Sequence, residues 1–428
     1  MTKRSSSPEP TPELARALIR SLTRGTAIAR GVRYIHVGHE KWLAAQDELL
    51  GEVAQDGHSD TKFVRGAYGA GKSHFLSVVQ DHAQQANWMT AHVECKVDDV
   101  QIDRFETVYP KIVAKLTAHD LASATLPGFD ETCIDPARFL LDNWSQRLLR
   151  EVGVHPDALT RPFDADNRLY GELHRGLLRS NLPQEFTKAL TTYARASLAN
   201  DHETLDALGL WLRGADQKIH LPGQYLQRPS FGRQGRGSSF FELKPIGRGT
   251  ARDVMRGVLW LVRASGYAGL VLCIDEIEEL AKLGSRRRQD QALQALREYV
   301  DHAGGDAGYR HLCMYLAATP EMFEGKNYFP RYDALATRIH SLGDEINWRA
   351  PVIDLDRTPL QESEMRRMAR RIWRVHQTAY GEASANGFSE ALLDGFVAEI
   401  VASRFRIAKP RLDRKSTRLN SSHPYRSR

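Results

Sequence analysis

The sequence predicts an α/β fold, in which a parallel sheet is interrupted by a large helical insert and followed by a C-terminal helical region. Three observations carry this prediction. A strand, a glycine-rich loop and a helix follow one another in "TKFVRGAYGAGKSHFLSVVQDHAQQ". The uncharged run "LVLCI" at 270–274 fits a strand that is buried on both faces of a parallel sheet. Strands alternate with helices on either side of the insert, which is typical of α/β folds.

Two helices are predicted before the first strand. The segment "PELARALIRSLTRG" places Leu14, Leu18 and Leu22 at helical spacing, and "HEKWLAAQDELLGEVAQ" forms the second helix. The first strand has Phe63 and Val64 at its centre. The N-terminal helices therefore lead directly into the glycine-rich loop.

The later elements follow the same logic. "MTAHVECKV" predicts a second strand and "TVYPKIVAKLTAH" a helix, after which the pattern is mostly helical until the Gly/Arg-rich stretch "LQRPSFGRQGRGSSFF", which we expect to be a mobile loop. A helix in "GTARDVMRGVLWLVRASGY" then precedes the buried strand, and "HLCMYLAATP" supplies a further strand. From these elements the chain is divided as follows: 1–12 a disordered start, 13–119 the N-terminal helices and the loop-bearing half of the core, 120–245 the helical insert, 246–345 the second half of the core, 346–412 the C-terminal helical region, and 413–428 a tail that we expect to be non-native.

Composition and charge indicate a folded, water-soluble chain. Of its 428 residues 42% are hydrophobic and 26% charged, with a formal charge of +6. The last fifteen residues, "RKSTRLNSSHPYRSR", contain five Arg or Lys and no acid, so the rest of the chain carries 6 − 5 = +1. No apolar run of about 18 residues could span a bilayer, and the start lacks the apolar segment of a secretory signal. We therefore expect a cytoplasmic protein without a membrane partner. The four cysteines form no CxxC pair, which argues against a disulfide framework and a zinc site.

The glycine-rich loop matches the Walker A pattern G-x-x-x-x-G-K-[ST] in full. Glycines let backbone N–H groups close around an anion, and the N-terminus of the next helix adds positive potential. Lys72 would neutralise phosphate oxygens during catalysis, and the Ser73 hydroxyl would bind Mg²⁺. The alternative is an ordinary glycine turn. The residues predicted to hold the nucleotide are Gly66, Ala67, Tyr68, Gly69, Ala70, Gly71, Lys72, Ser73 and His74.

Two acids end the buried strand at 270–275 and resemble a Walker B pair. Asp275 would hold Mg²⁺ through water, and Glu276 would orient or deprotonate the attacking water. An acid directly after the metal aspartate favours hydrolysis over transfer to a small-molecule acceptor, which makes a kinase a weak alternative. Because Glu278 and Glu279 follow at once, a solvated carboxylate patch is the other interpretation.

Other polar residues are candidates with ordinary alternatives. Thr319, at the end of a strand, could sense the γ-phosphate or lytic water, or simply cap a helix. Arg338, and more weakly Arg331, could supply positive charge to the transition state, but arginines on solvated helices are common. His36 and His39 have metal-like spacing without the further ligands that zinc needs. The run "SRRRQD" at 285–290, with Arg233 and Arg236, could contact nucleic-acid phosphates or form a solvated turn.

With both motifs in view, the chain resembles a bacterial P-loop ATPase family that includes the ATP-binding protein of BREX-type phage-defence systems. The resemblance rests on "RALIRSLTRGTAIARGVRYIHVGHEKWLAAQDELL", "VRGAYGAGKSHFL", "SGYAGLVLCIDEIEEL", "YLAATPEMFEG" and "RYDALATRI", and covers nearly all of residues 12–412. It implies an AAA-like core that uses ATP and Mg²⁺ beside a helicase partner in DNA-directed defence. The same resemblance implies phosphate binding by 66–73, metal binding by Asp275 and water activation by Glu276. A Pro-Arg pair opens another helix in the family, whereas here Pro410 and Arg411 stand just before the unusual tail.

The sequence thus predicts a Mg²⁺-dependent ATP-binding and hydrolysing protein, which acts as a conformational switch or motor component in phage defence. Its partners would be ATP, a helicase or other defence proteins, DNA, and further copies of the chain in a homo-oligomer. The alternative is a nucleotide-gated DNA loader or scaffold with little hydrolysis.

Overall fold

We analysed a computed structural model of the chain, which describes residues 9–25, 28, 30–96, 98–124, 135–154, 162–229, 239–302, 308–324, 327–339, 345–381 and 389–403. The chain divides into two compact units. The first comprises Met1–Glu48, Lys62–His82 and Ala317–Arg428, and the second comprises Leu49–Thr61 and Ala83–Leu316.

Helices and strands alternate on either side of a mostly helical segment, as the sequence predicts. The helices are α1 Pro12–Arg24, α2 Glu40–Asp56, α3 Lys72–Gln85, α4 Phe105–Ala114, α5 His119–Ala124, α6 Pro136–Glu151, α7 Pro162–Arg179, α8 Gln184–Leu198, α9 His202–Leu212, α10 Ala251–Ala264, α11 Arg286–His302, α12 Asp333–Ile339, α13 Glu362–Tyr380 and α14 Glu390–Ser403. The strands are β1 Asp60–Arg65, β2 Met89–Glu94, β3 Ile219–Pro222, β4 Phe240–Leu243, β5 Leu270–Asp275, β6 Leu312–Ala318 and β7 Val352–Asp354.

A five-stranded parallel sheet with the order β2-β5-β6-β1-β7 forms the core, which is the arrangement of a P-loop fold. Strand β5 pairs with β2 in the register Leu270 to Met89, and with β6 in the register Leu270 to Leu312. All six residues of β5 and all seven of β6 are buried. Both strands consist almost entirely of apolar side chains, as expected of strands covered on both faces. The predicted α/β fold with a parallel sheet and helical regions is confirmed.

In the first unit, the N-terminal helix packs against the C-terminal helical region. Helix α1 begins at a Thr11 cap, whose hydroxyl accepts the N–H of Leu14 at 3.3 Å, and ends at Gly25 in the left-handed conformation. It contacts α13, which in turn contacts α14. The apolar spacing of α1 therefore marks the face that contacts another helix, as Leu18 is only 1% exposed.

In the second unit, helices α6, α8 and α9 pack together beside a two-stranded hairpin made by β3 and β4. Arg195 of α8 is buried and binds both carboxylate oxygens of Asp166, at 2.6 and 2.7 Å. Its guanidinium also donates to the carbonyl oxygens of Gln224, Tyr225 and Gln227. This one side chain therefore ties two helices to the segment that follows β3.

No helix among the described residues is long and apolar enough to cross a membrane. Among the described residues, Cys95, Cys273 and Cys313 are buried thiols outside any disulfide, as expected of small hydrophobic side chains, while Cys133 lies outside the described residues.

Candidate nucleotide site

The predicted phosphate loop lies between strand β1 and helix α3, in the first unit. Gly69 and Gly71 have φ values of 83° and 96°, a region of backbone conformation that side chains disfavour. A Cβ at Gly66 would lie 3.0 Å from the Cβ of Ala70, so this glycine permits a close approach within the loop. Helix α3 begins at Lys72. The loop glycines are thus explained by local backbone geometry, and the helix N-terminus follows the loop as an anion site requires.

Lys72 folds back over the loop that precedes it. Its Nζ donates to the carbonyl oxygen of Gly66 at 3.0 Å, and it lies 5.3 Å from the centre of the Tyr68 ring. The Lys72 side chain is only 8% exposed, whereas Tyr68 is 52% exposed. A buried ammonium in the phosphate loop is suited to an anionic ligand, and the Tyr68 ring next to it is exposed.

The backbone of the loop is bound at its first two residues. The N–H of Ala67 donates to the Asp356 carboxylate, at 2.9 and 3.2 Å from its two oxygens. The N–H of Gly66 points to the carbonyl oxygen of Ala318 at 3.4 Å. Asp356 follows strand β7, which pairs with β1. Sequence reasoning missed Asp356; the available signal was the pair of acids in "DLDRT", where a strand beside the loop strand ends.

His74, which follows the motif, contacts a second histidine far away in sequence. His36 Nε2 lies 2.8 Å from the carbonyl oxygen of Gly38, and His36 Nδ1 lies 3.1 Å from His74 Nε2. Since a carbonyl only accepts, a neutral His36 carries its proton on Nε2 and accepts the His74 Nε2 proton at Nδ1. Burial and the neighbouring His74 lower the pKa of His36 to about 3, and burial lowers the pKa of His74 to about 4. Both rings are therefore neutral near pH 7.

His39 lies three residues after His36, a spacing found among metal ligands. It adopts a left-handed backbone conformation with φ of 59°, and its ring packs edge-on against Phe75. Burial lowers the pKa of His39. Among the residues that the structure describes, no group of three or more His, Cys, Asp or Glu side chains could hold a metal ion.

The predicted Walker B pair ends strand β5, in the second unit. Asp275 is 2% exposed, and its Oδ1 accepts the N–H of Glu276 at 2.8 Å. His92 Nε2 lies 3.8 Å from Asp275 Oδ2. Glu276 has φ of 57°, which is uncommon for a residue other than glycine and typical of functional sites. Partial burial, then the carboxylates of Asp275 and Glu94, raise the pKa of Glu276. The side chain of Glu276 still reaches solvent.

Each of the two predicted metal ligands fits a magnesium ion by its own chemistry. Mg²⁺ is usually bound by one or two protein oxygens together with phosphate oxygens and water, so no cluster of three acids is needed. The Asp275 carboxylate and the Ser73 hydroxyl are hard oxygen donors of this kind.

The remaining candidates are placed as follows. Thr319 follows strand β6 and is 2% exposed; it precedes the 3-10 turn Pro320–Met322, but its side chain does not cap that turn. Arg338 belongs to helix α12, and its side chain lies outside the described part of the chain. Arg331 is exposed at the end of the turn Phe329–Arg331. Arg233, Arg236, Pro410, Arg411 and the tail at 413–428 lie outside the described residues.

Comparison with known proteins gives one result. The family described as "BREX system ATP-binding protein BrxC/D" matches residues 11–221 and 243–418. No curated protein matches, and no solved structure matches. The match covers both the glycine loop and the strand that ends in Asp275 and Glu276, and the sheet order agrees with a P-loop fold. The chain therefore belongs to the BrxC/D family of ATP-binding proteins of the BREX phage-defence system.

Proposed function

We propose that this ATP-binding protein hydrolyses ATP and uses the cycle as a conformational switch or motor component in phage defence. The observation that carries the proposal is Glu276, a carboxylate with a raised pKa directly after the buried Asp275. A glutamate of higher pKa is a stronger base, which suits deprotonation of water. Such a pair is typical of hydrolysis.

Each residue of the proposed site has a separate role. Backbone N–H groups of 66–73 and the Lys72 ammonium bind and orient the phosphates, and Glu276 accepts the proton of the attacking water. Ser73 and Asp275 would hold Mg²⁺, which would supply positive charge to the phosphate oxygens. Thr319 contacts the γ-phosphate or the lytic water, and Arg338 stabilises the charge of the transition state, within the chain or from a neighbouring copy. Thr319 is buried, and its side chain does not cap the turn that follows it. Both observations support the assignment of Thr319 to the γ-phosphate or the lytic water.

The test is phosphate release from ATP by the full chain and three variants. Lys72→Ala is expected to lose ATP binding and turnover together. Glu276→Gln should still bind ATP, while turnover falls by about 10²-fold or more, because the general base is removed. Glu279→Gln is the matched control, since it removes one carboxylate of the same acidic segment and should turn over ATP like the wild type. Chelation of Mg²⁺ should stop turnover, and added Mg²⁺ should restore it.

The same experiment separates the alternatives. Tight ATP binding without turnover, with or without duplex DNA or a helicase partner, would replace hydrolysis by a nucleotide-gated DNA loader or scaffold. Turnover only with an added small-molecule acceptor would indicate a kinase. Equal turnover by Glu276→Gln and the wild type would remove Glu276 from the proposed role.

We further propose that ATP binding changes the conformation of the insert at 120–245, in a cytoplasmic assembly with a helicase and further copies of the chain. The family resemblance supports the helicase partner. Limited proteolysis with and without a slowly hydrolysed ATP analogue tests the switch: new protection within 120–245 is expected, and an unchanged cleavage pattern would contradict it.

A further inference from the structure

A cavity of about 630 Å³ opens in the second unit, at the starts of α4 and α10 and along α11. It uses none of the residues assigned to nucleotide binding or hydrolysis. Its lining residues are Asp103, Arg104, Phe105, Glu106, Arg248, Arg252, Arg288, Gln291, Gln294, Ala295 and Glu298.

The arginines of this cavity are not all neutralised by acids. Arg252 forms an ion pair with Glu298. Arg288 donates to the neutral side-chain oxygen of Gln101 at 3.1 Å. Arg104 and Arg248 are exposed, and within the described part of the chain neither side chain forms a hydrogen bond or an ion pair. The cavity therefore offers guanidinium donors to a ligand.

Helix α11 extends this polar surface. Arg288, Gln291 and Gln294 lie on one face, because residues three apart are neighbours on a helix. Arginine and glutamine side chains together are typical donors to the phosphates and sugars of nucleic acids.

Positive charge continues past the cavity. Arg286 and Arg287, at the start of α11, are exposed and form no hydrogen bond or ion pair through their side chains with other described residues. Two carboxylates, Asp103 and Glu106, also line the cavity, so arginines without an acidic partner outnumber them. The cavity alone is large enough to bind a small anion. A positively charged surface that continues from the cavity to Arg286 and Arg287 suits a long polyanion.

We propose that Arg104, Arg248 and the arginines at 286–288 bind the phosphate backbone of DNA. This proposal gives a function to the "SRRRQD" segment. Arg104 and Arg248, from distant parts of the chain, belong to the same surface. It binds backbone rather than bases, so we expect little sequence preference. The surface shares no residue with the proposed nucleotide site, so DNA binding and ATP hydrolysis can be measured separately.

The test is fluorescence anisotropy of a labelled DNA duplex of arbitrary sequence, titrated with the full chain over a range of salt concentrations. The variant is Arg104→Ala with Arg248→Ala. Each lost phosphate contact lowers the slope of log affinity against log salt by about 0.9, so the double variant should lose about two units of slope. At fixed moderate salt its affinity should fall by about tenfold. ATP turnover without DNA should stay at the wild-type level.

Arg297→Ala is the matched control, because Arg297 lies on α11 outside the cavity face and pairs with Asp301. It should bind DNA with the wild-type slope, and the basic tail is the same in every protein compared. Arg248→Ala alone changes a residue ahead of α10 and should lose about one unit of slope. This single variant replaces the double variant in the test if the double variant does not fold.

The proposal would be overturned if the wild type showed no salt-dependent binding, or if the wild type and the variants had equal slopes. Displacement of DNA by polyglutamate at equal charge, with the same sensitivity to the variants, would also overturn it, in favour of an acidic peptide.

Discussion

Asp356 provides the sharpest prediction about the nucleotide site, because its carboxylate binds the phosphate loop directly. The N–H of Ala67 donates to it at 2.9 Å. A hydrogen bond to a charged acceptor contributes about 1.5–3 kcal/mol when buried, and Asp356 is exposed, so we take about 1 kcal/mol for fixing the loop. Because the loop must be ordered before it binds phosphates, losing this bond should weaken ATP binding by about fivefold.

Two substitutions separate the hydrogen bond from the charge. Asp356→Asn keeps an acceptor oxygen and removes the negative charge, which by itself would favour an anionic nucleotide. Asp356→Ala removes both. We therefore expect Asp356→Ala to bind ATP about fivefold more weakly than Asp356→Asn, whatever the effect of the charge. Calorimetric titration with a slowly hydrolysed ATP analogue measures the difference.

The control is Asp333→Ala, which removes another exposed carboxylate of the same unit, at the start of α12. It should bind the analogue like the wild type. Equal affinities for Asp356→Ala and Asp356→Asn would refute the reasoning and leave Asp356 without a part in ordering the loop.

Three further predictions concern local geometry, packing and protonation. Gly71→Ala should weaken ATP binding by about tenfold. A Cβ at Gly71 would meet no atom within 4 Å, but a side chain at its φ of 96° costs about 1–2 kcal/mol. Gly51→Ala is the control, because Gly51 lies within helix α2 and is equally unobstructed, and this change should not weaken ATP binding. Arg195→Ala should lower the free energy of unfolding by about 3 kcal/mol, since it leaves Asp166 and three carbonyls without their donor; Arg175→Ala, which breaks an exposed pair with Glu172, should change it by less than about 1 kcal/mol in the same denaturant titration. The pKa of His36 falls from 6.5 unfolded to about 3 folded, so below pH 6.5 the unfolded chain binds the extra proton and stability is lost as the pH falls. Thermal unfolding of His36→Gln should therefore show a weaker dependence on pH between 6.5 and 3 than the wild type, and identical profiles would contradict the assignment.

The sequence by itself determined the phosphate loop, the buried strand that ends in Asp275, and the alternation that makes an α/β fold. These features are encoded by consecutive residues: glycine spacing sets the loop backbone, and an unbroken apolar run sets a strand covered on both faces. The family resemblance used the same local segments, and its match over most of the chain agrees with them.

Only the tertiary structure decided which distant residues meet. The sheet order places β6 next to β5, and β7 next to β1, and no local pattern specifies such neighbours. The bond from Ala67 to Asp356 crosses 289 positions, and His36 meets His74 across 38. The arginine cavity likewise joins the starts of α4 and α10 to a face of α11. A single sequence carries no direct record of these contacts, because strand pairing and helix packing are satisfied by many apolar faces, and the choice among them is made by the whole core.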